Sequence, residues 1–130
     1  MSTRTNLRPQ SVITNGSMAA NLTSSVTLLQ SLSAVSFMVY WSGTSPVGTC
    51  SVQVSNDYAV GPTGAVINTG HWATITLNQS GTPTTTIAIS GNSGTGFIDV
   101  DPTGAYAIRL IYTASSGTGT FNAVINGKVS

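Results

Sequence analysis

The chain is short of charge. Only 5% of its 130 residues are charged, against about 25% in an average soluble domain. Glutamate is absent, and the charged set is Arg4, Arg8, Arg109, Lys128, Asp57, Asp99 and Asp101, for a formal net charge of +1. A nucleic-acid backbone is neutralised by several clustered Lys or Arg, so four dispersed bases argue against direct nucleic-acid binding. Glycosidase chemistry on paired carboxylates would have to draw both groups from three aspartates. Near-zero net charge also weakens the repulsion that keeps copies apart. It suits a protein that works packed against itself.

Other shortages narrow the field further. Cys50 is the sole cysteine, which excludes an intrachain disulfide and a cysteine-based metal site. His71 is the sole histidine, so any acid–base or nucleophilic machinery has one imidazole at most. No run approaches the ~18 apolar residues of a membrane span. The opening MSTRTNLRPQ lacks the apolar centre of a signal peptide, giving the expectation of synthesis in a cytoplasm. Without a secretory route the sequons at Asn15, Asn21 and Asn78 carry little weight.

Period-two alternation is what the chain has in abundance. In AVSFMVYW, Val35, Phe37, Val39 and Trp41 share one face, and Ser36, Met38 and Tyr40 the other. Cys50, Val52 and Val54 alternate with Ser51, Gln53 and Ser55; Leu22–Leu28, Ala73–Leu77 and Ile87–Ile89 follow the same rule. This is the pattern of half-buried strands. Gly/Pro/Ser/Asn clusters at 42–48, 61–64, 80–83, 90–96 and 101–104 read as turns between them. The expected fold is all-β: an antiparallel β-sandwich, jelly-roll-like, of about eight to nine strands. Residues 28–32 (LLQSL) are the best helical candidate, for one turn. Residues 1–10 lack clean alternation and read as an extended N-terminal arm, free to grip a neighbour or pinned on its own domain. Residues 11–130 form the single domain.

The segment AYAIRLIYTASSGTGTFNAVINGKV contains Gly-x-Gly after an apolar run. A phosphate-binding loop has to deliver its glycines to a helix N-terminus. Here Phe121, Ala123, Ile125 and Val129 alternate with Asn122, Asn126 and Lys128, the pattern of a strand. The expectation is a terminal β-hairpin with SSGTGT as its connection, Gly117 and Gly119 taking positive φ.

Few residues remain for chemistry. Cys50 lies in register with Val52 and Val54 and reads as a small core residue. His71 reads as a rim histidine, and Asp57 as turn chemistry leaving a strand. Asp99 and Asp101 share a face with Phe97 and could offer carboxylates to calcium, although D-x-D more often opens a turn. No cofactor is expected. Arg109 points to the face opposite Tyr106, Ile108, Leu110 and Tyr112, to meet a partner or an aspartate. Trp41, Trp72 and Tyr58 could make a sugar platform or interface anchors.

The C-terminal stretch resembles the ends of small bacteriophage virion proteins, where a Tyr-x-Ile-Arg-Leu-x-Tyr-Thr strand runs into Ser-Gly-Thr-Gly-Thr and a last strand. Here those residues are Tyr106, Ile108, Arg109, Leu110, Tyr112 and Thr113, then 116–120 and 121–129. CSVQVSNDY and GHWATITL, residues 50–58 and 70–77, are similar as well. The resemblance spans about residues 35–129. It implies a non-enzymatic structural protein of the virion, of the cement, decoration or minor capsid kind. Such a protein is made in the host cytoplasm, and its partners are the major capsid protein, other virion proteins and copies of itself. Candidate contact residues are Arg4, Leu7, Arg8, Pro9, Arg109, Trp72 and Tyr58. The competing expectation is a carbohydrate- or receptor-binding module of a spike or tail.

Overall fold

The computed structural model describes residues 6–29, 32–79, 81–100 and 104–128, with backbone only for Asn6 and Leu7. In chain order the strands are β1 (Asn6–Ser17), β2 (Leu22–Thr23), β3 (Thr27–Leu28), β4 (Ala34–Ser55), β5 (Ala59–Val60), β6 (Val66–Asn68), β7 (Ala73–Thr74), β8 (Leu77–Gln79), β9 (Thr82–Thr84), β10 (Ile87–Ser90), β11 (Ser93–Val100) and β12 (Ala107–Lys128). No helix occurs among the described residues. The chain is therefore all-β with antiparallel pairing, as expected.

The architecture rests on two strands of 22 residues each, β4 and β12. They pair antiparallel from Ala107 against Ser55 to Lys128 against Ala34. Beside the first half of β4 runs β11, and beside the second half of β12 runs β1. At the other end β10 and β7 flank β4, while β2 and β3 flank β12. These eight strands form one sheet; β5–β6 and β8–β9 are separate two-stranded hairpins.

Two sequence expectations are corrected by this ribbon. Residues 42–48 are no turn, because β4 runs through them. Residues 115–120 are no hairpin connection, because β12 runs through them too, and its two arms both pair with β4 rather than with each other. The Gly-rich stretches lie opposite one another, with Gly119 against Gly43 and Thr118 against Thr44. Register shifts fall between Ala114, Ser116 and Thr118. Such irregularities bend a strand and let it pass from one face of a body to another. The glycines serve close approach: a Cβ at Gly43 would run into the Thr118 carbonyl, and one at Gly117, whose φ is +79°, into the Ser45 carbonyl. Gly119 does not take positive φ.

Neighbouring turns satisfy backbone groups at this bend. The Asn92 side-chain oxygen accepts from the Ser45 amide at 2.8 Å, and its carbonyl from Gly43 at 2.7 Å. On the other edge Asn21 accepts from the Ala114 amide at 2.9 Å, and the Gly119 carbonyl from Met18 at 2.9 Å. Unpaired backbone groups at a break in a ladder are costly, so these bonds hold the bend.

The bend brings the inner faces of the two halves together. Val35, Phe37 and Val39 of β4 join Cys50 and Val52 from its other half. Ile108, Leu110 and Tyr112 likewise join Phe121, Ala123 and Ile125 of β12. Each fully buried large apolar side chain contributes about 1.5–3 kcal/mol. The alternation of these residues was legible, and Cys50 is a core residue as expected.

Other departures are local. Short pieces raise the strand number to twelve among the described residues. The run 22–28 splits into β2 and β3 because Ser24 turns inward: its hydroxyl accepts from the Leu110 amide at 2.8 Å. Only 91–92 of the expected turn at 90–96 lies outside strand. At the expected helical turn, Leu28 belongs to β3 and the Leu32 amide donates to the Leu29 carbonyl; residues 30 and 31 lie outside the described residues. Residues 6–10 of the expected arm form the first part of β1, with Leu7 opposite Gly127. Arg4 lies outside the described residues, as do Asp101 and Val129.

Candidate functional site

The most elaborate arrangement of polar side chains grows from the end of β4. The buried Ser55 hydroxyl donates to Asp57 at 2.9 Å and accepts from the backbone amides of Asp57 and Tyr58. That bonding turns the chain out of the sheet, as Ser and Asp do in turns. The β5–β6 hairpin follows and returns the chain at residues 69–72. There the Asp57 carboxylate accepts from the His71 amide at 2.7 Å and meets the His71 ring Nδ1 at 2.6 Å.

Gly70 is required at this return. Its φ is +78°, and a Cβ there would come within 2.7 Å of the Ser55 hydroxyl. Its amide donates to the Asn68 side chain at 2.9 Å. The hydrogen bond from the His71 ring is the leading reason that Asp57 titrates well below the usual carboxylate range. The same bond raises the pKa of His71 above its ordinary value. The His71 side chain is 97% exposed, with Nδ1 committed to Asp57.

The next residues point to the sheet. The Trp72 indole N–H donates to the Thr69 carbonyl at 2.8 Å. Its ring lies 4.1 Å from the Arg109 guanidinium carbon and 5.8 Å from the Tyr58 ring, tilted by 59°. Arg109 sits opposite Gln53 on the outer face of the ribbon and donates from Nε to the Gln53 side chain at 2.8 Å. Partial burial lowers its pKa. The aromatic face attracts the guanidinium, so Trp72 and Arg109 tie the loop to the sheet.

Three of the expected contact residues, Tyr58, Trp72 and Arg109, thus meet in one place. Arg109 finds glutamine and tryptophan rather than an aspartate. Arg8 and Pro9 are exposed on β1, remote in sequence from this cluster. Trp41 is not part of it: its indole donates to the Gly91 carbonyl at 3.2 Å, and its ring packs over Gly94. Asp99 is exposed on β11. Among the described residues no three of His, Cys, Asp or Glu converge as metal ligands.

The Asp57–His71 pair was missed in the sequence. Asp57 has the sequence setting of a turn residue, and its carboxylate also bonds a residue fourteen positions on. The available signal was the placing of Asp57 and Gly70-His71 on either side of a short hairpin. His71 and Asp57 have the base-and-orienter geometry of a hydrolytic site, but the nearby Ser55 hydroxyl bonds the carboxylate rather than the imidazole. The Cys50 thiol lies in the core, where burial pushes its pKa up to about 12.

No family model matches this chain. No curated protein matches it either. Among solved structures it is similar to the crystal structure of the SPBc2 prophage-derived protein YomS, with a TM-score of 0.60 and 8% sequence identity. The match covers 97% of this chain and 96% of that one. The two share a fold over nearly their full lengths.

Proposed function

We propose that this chain is a non-enzymatic structural protein of a bacteriophage particle, of the cement, decoration or minor capsid kind. It binds capsid protein and copies of itself. The observation that carries the reading is the end-to-end fold match with a prophage-derived protein. The resemblance of residues 105–129 to small virion proteins supports it from an independent direction. The sparse charge supports it too, since assembly at high local concentration tolerates a net charge of +1. In this reading the folded sheet is a sandwich-like body whose two outer faces and edge strand β1 are the surfaces offered to neighbours. Many weak contacts on a lattice sum to firm retention. The test is to purify particles and quantify the chain in them: hundreds of copies would support the reading, and absence would end it.

A second reading has its own observation. Tyr58 and Trp72 stand on the outer surface beside Arg109, the arrangement of a carbohydrate- or receptor-binding module on a spike or tail. Glycan binding by the isolated protein, abolished by Trp72→Ala, would favour it.

A further inference from the structure

The two outer faces of the ribbon differ. Around the Arg109 half, Thr49, Ser51, Gln53 and Thr113 make a mainly polar exterior, interrupted by the exposed Val47 and the half-buried Ile111. Around the other half the exterior is apolar at its centre. Phe97 of β11 lies opposite Met38 of β4, Met38 opposite Val124 of β12, and Val124 opposite Ser11 of β1. Phe97 is 55% exposed, Met38 41% and the adjacent Tyr40 45%. Val47, Val66, Ile67 and Tyr106 are exposed elsewhere, but Phe97, Met38 and Tyr40 stand side by side on adjoining strands, and such a row marks an interaction surface.

We infer that this face pairs with the same face of a second copy about a two-fold axis. The inference rests on the self-association part of the function proposed above. Its charges identify the partner. Asp99 and Lys128 line one notch beside Phe97. Neither has an ion-pair partner among the described residues, where the sole pair is His71 with Asp57. Arg8 stands on the adjoining edge strand. A face that presents one acid and one base at one end of an apolar row can complement itself: the two-fold sets Asp99 of each copy against Lys128 of the other. Residues contacted reciprocally are the signature of such an isologous interface. The apolar centre with a polar rim matches the anatomy of protein interfaces.

Size is consistent with a weak pair. Four strands at about 4.8 Å spacing, and the eight residues of β11 at about 3.4 Å each, outline roughly 500 Å² per copy. Two copies then bury about 1,000 Å², the lower end for specific association. The pair is accordingly concentration-dependent and is reinforced when copies are held side by side.

Sedimentation equilibrium on the full chain tests this. Wild type forms a dimer at micromolar to millimolar concentration. Phe97→Lys weakens it at least tenfold, with circular dichroism and melting temperature unchanged; Phe97→Thr serves if Lys perturbs the fold. Asp99→Lys also weakens it, and adding Lys128→Asp restores it. A monomeric wild type, a dimer indifferent to Phe97, or a double variant no better than Asp99→Lys overturns the inference. So does protection of this face by capsid protein alone. Particle incorporation is scored separately. A dimer absent from particles removes the virion reading and leaves this face standing, whereas an incorporated monomer does the reverse.

Discussion

The rings of Tyr112 and Phe121 stack with centroids 4.9 Å apart and planes inclined by 26°, although both belong to β12. On a straight strand at about 3.3 Å per residue they would stand roughly 30 Å apart. This one contact reports the bend of the whole ribbon. Tyr112 is fully buried, and its hydroxyl has no hydrogen-bond partner. Removing an unsatisfied buried hydroxyl without altering shape is neutral or favourable. Tyr112→Phe is therefore expected to leave stability unchanged or raise it by up to about 1 kcal/mol. Phe121→Ala is expected to cost about 3–5 kcal/mol. Urea unfolding of the two variants checks the contrast.

Glycines at the bend and in the β5–β6 turn separate two effects. Gly64 has a φ of +86° with open space around it, and Gly117 a φ of +79° with the Ser45 carbonyl in the way. Gly64→Ala pays only for the left-handed backbone, about 1 kcal/mol. Gly117→Ala pays for that and for spreading β4 from β12, about 3 kcal/mol or more. Equal losses in denaturant midpoint would contradict the crowding at the bend.

The Asp57–His71 clamp gives a pH signature. The depressed carboxyl contributes stability that is present above its unfolded pKa of 3.8 and lost as pH falls through its folded value. The raised imidazole contributes stability that is present below 6.5 and lost as pH rises through its folded value. The clamp is thus strongest between about pH 4 and 6.5. Both groups are exposed and screened, so the loop rather than the whole fold responds. An NMR titration of His71 should give a pKa above 6.5 that returns to about 6.5 in Asp57→Asn. An unchanged titration in that variant would contradict the clamp.

Cys50 should report global opening. With its pKa pushed up to about 12 and the thiol in the core, iodoacetamide at pH 8 should alkylate the native chain at least roughly a hundredfold more slowly than the urea-unfolded chain. Mass spectrometry at timed intervals gives the two rates.

Much of the fold was written in alternation. Val35, Phe37, Val39, Cys50, Val52 and Ile125 declare their inward face locally, because the side-chain period of a strand is a property of the backbone alone. The bend was not legible, for a physical reason. SGTSPVG and SSGTGT have the composition of turns, and whether such a stretch reverses the chain or bends it depends on its partner strand. Both bend here because each faces the other across the ladder, a relation visible only once the register is known. At the candidate site the same limit holds. Trp72, Tyr58 and Arg109 stood out singly as large or charged residues in strand surroundings. The Asp57–His71 bond, which orders the loop carrying Tyr58 and Trp72, depends on how the intervening hairpin closes.

The pairing of Lys128 with Ala34 has a consequence for biosynthesis. The first half of β4 receives its β12 neighbour only from the last stretch of the ribbon, so this half of the sheet cannot close until synthesis has reached Lys128. Contacts this remote in sequence also form slowly. A growing chain therefore lacks the completed β11–β4–β12–β1 part of the sheet until that stretch has been made. Closure of this half of the sheet is a late event in synthesis.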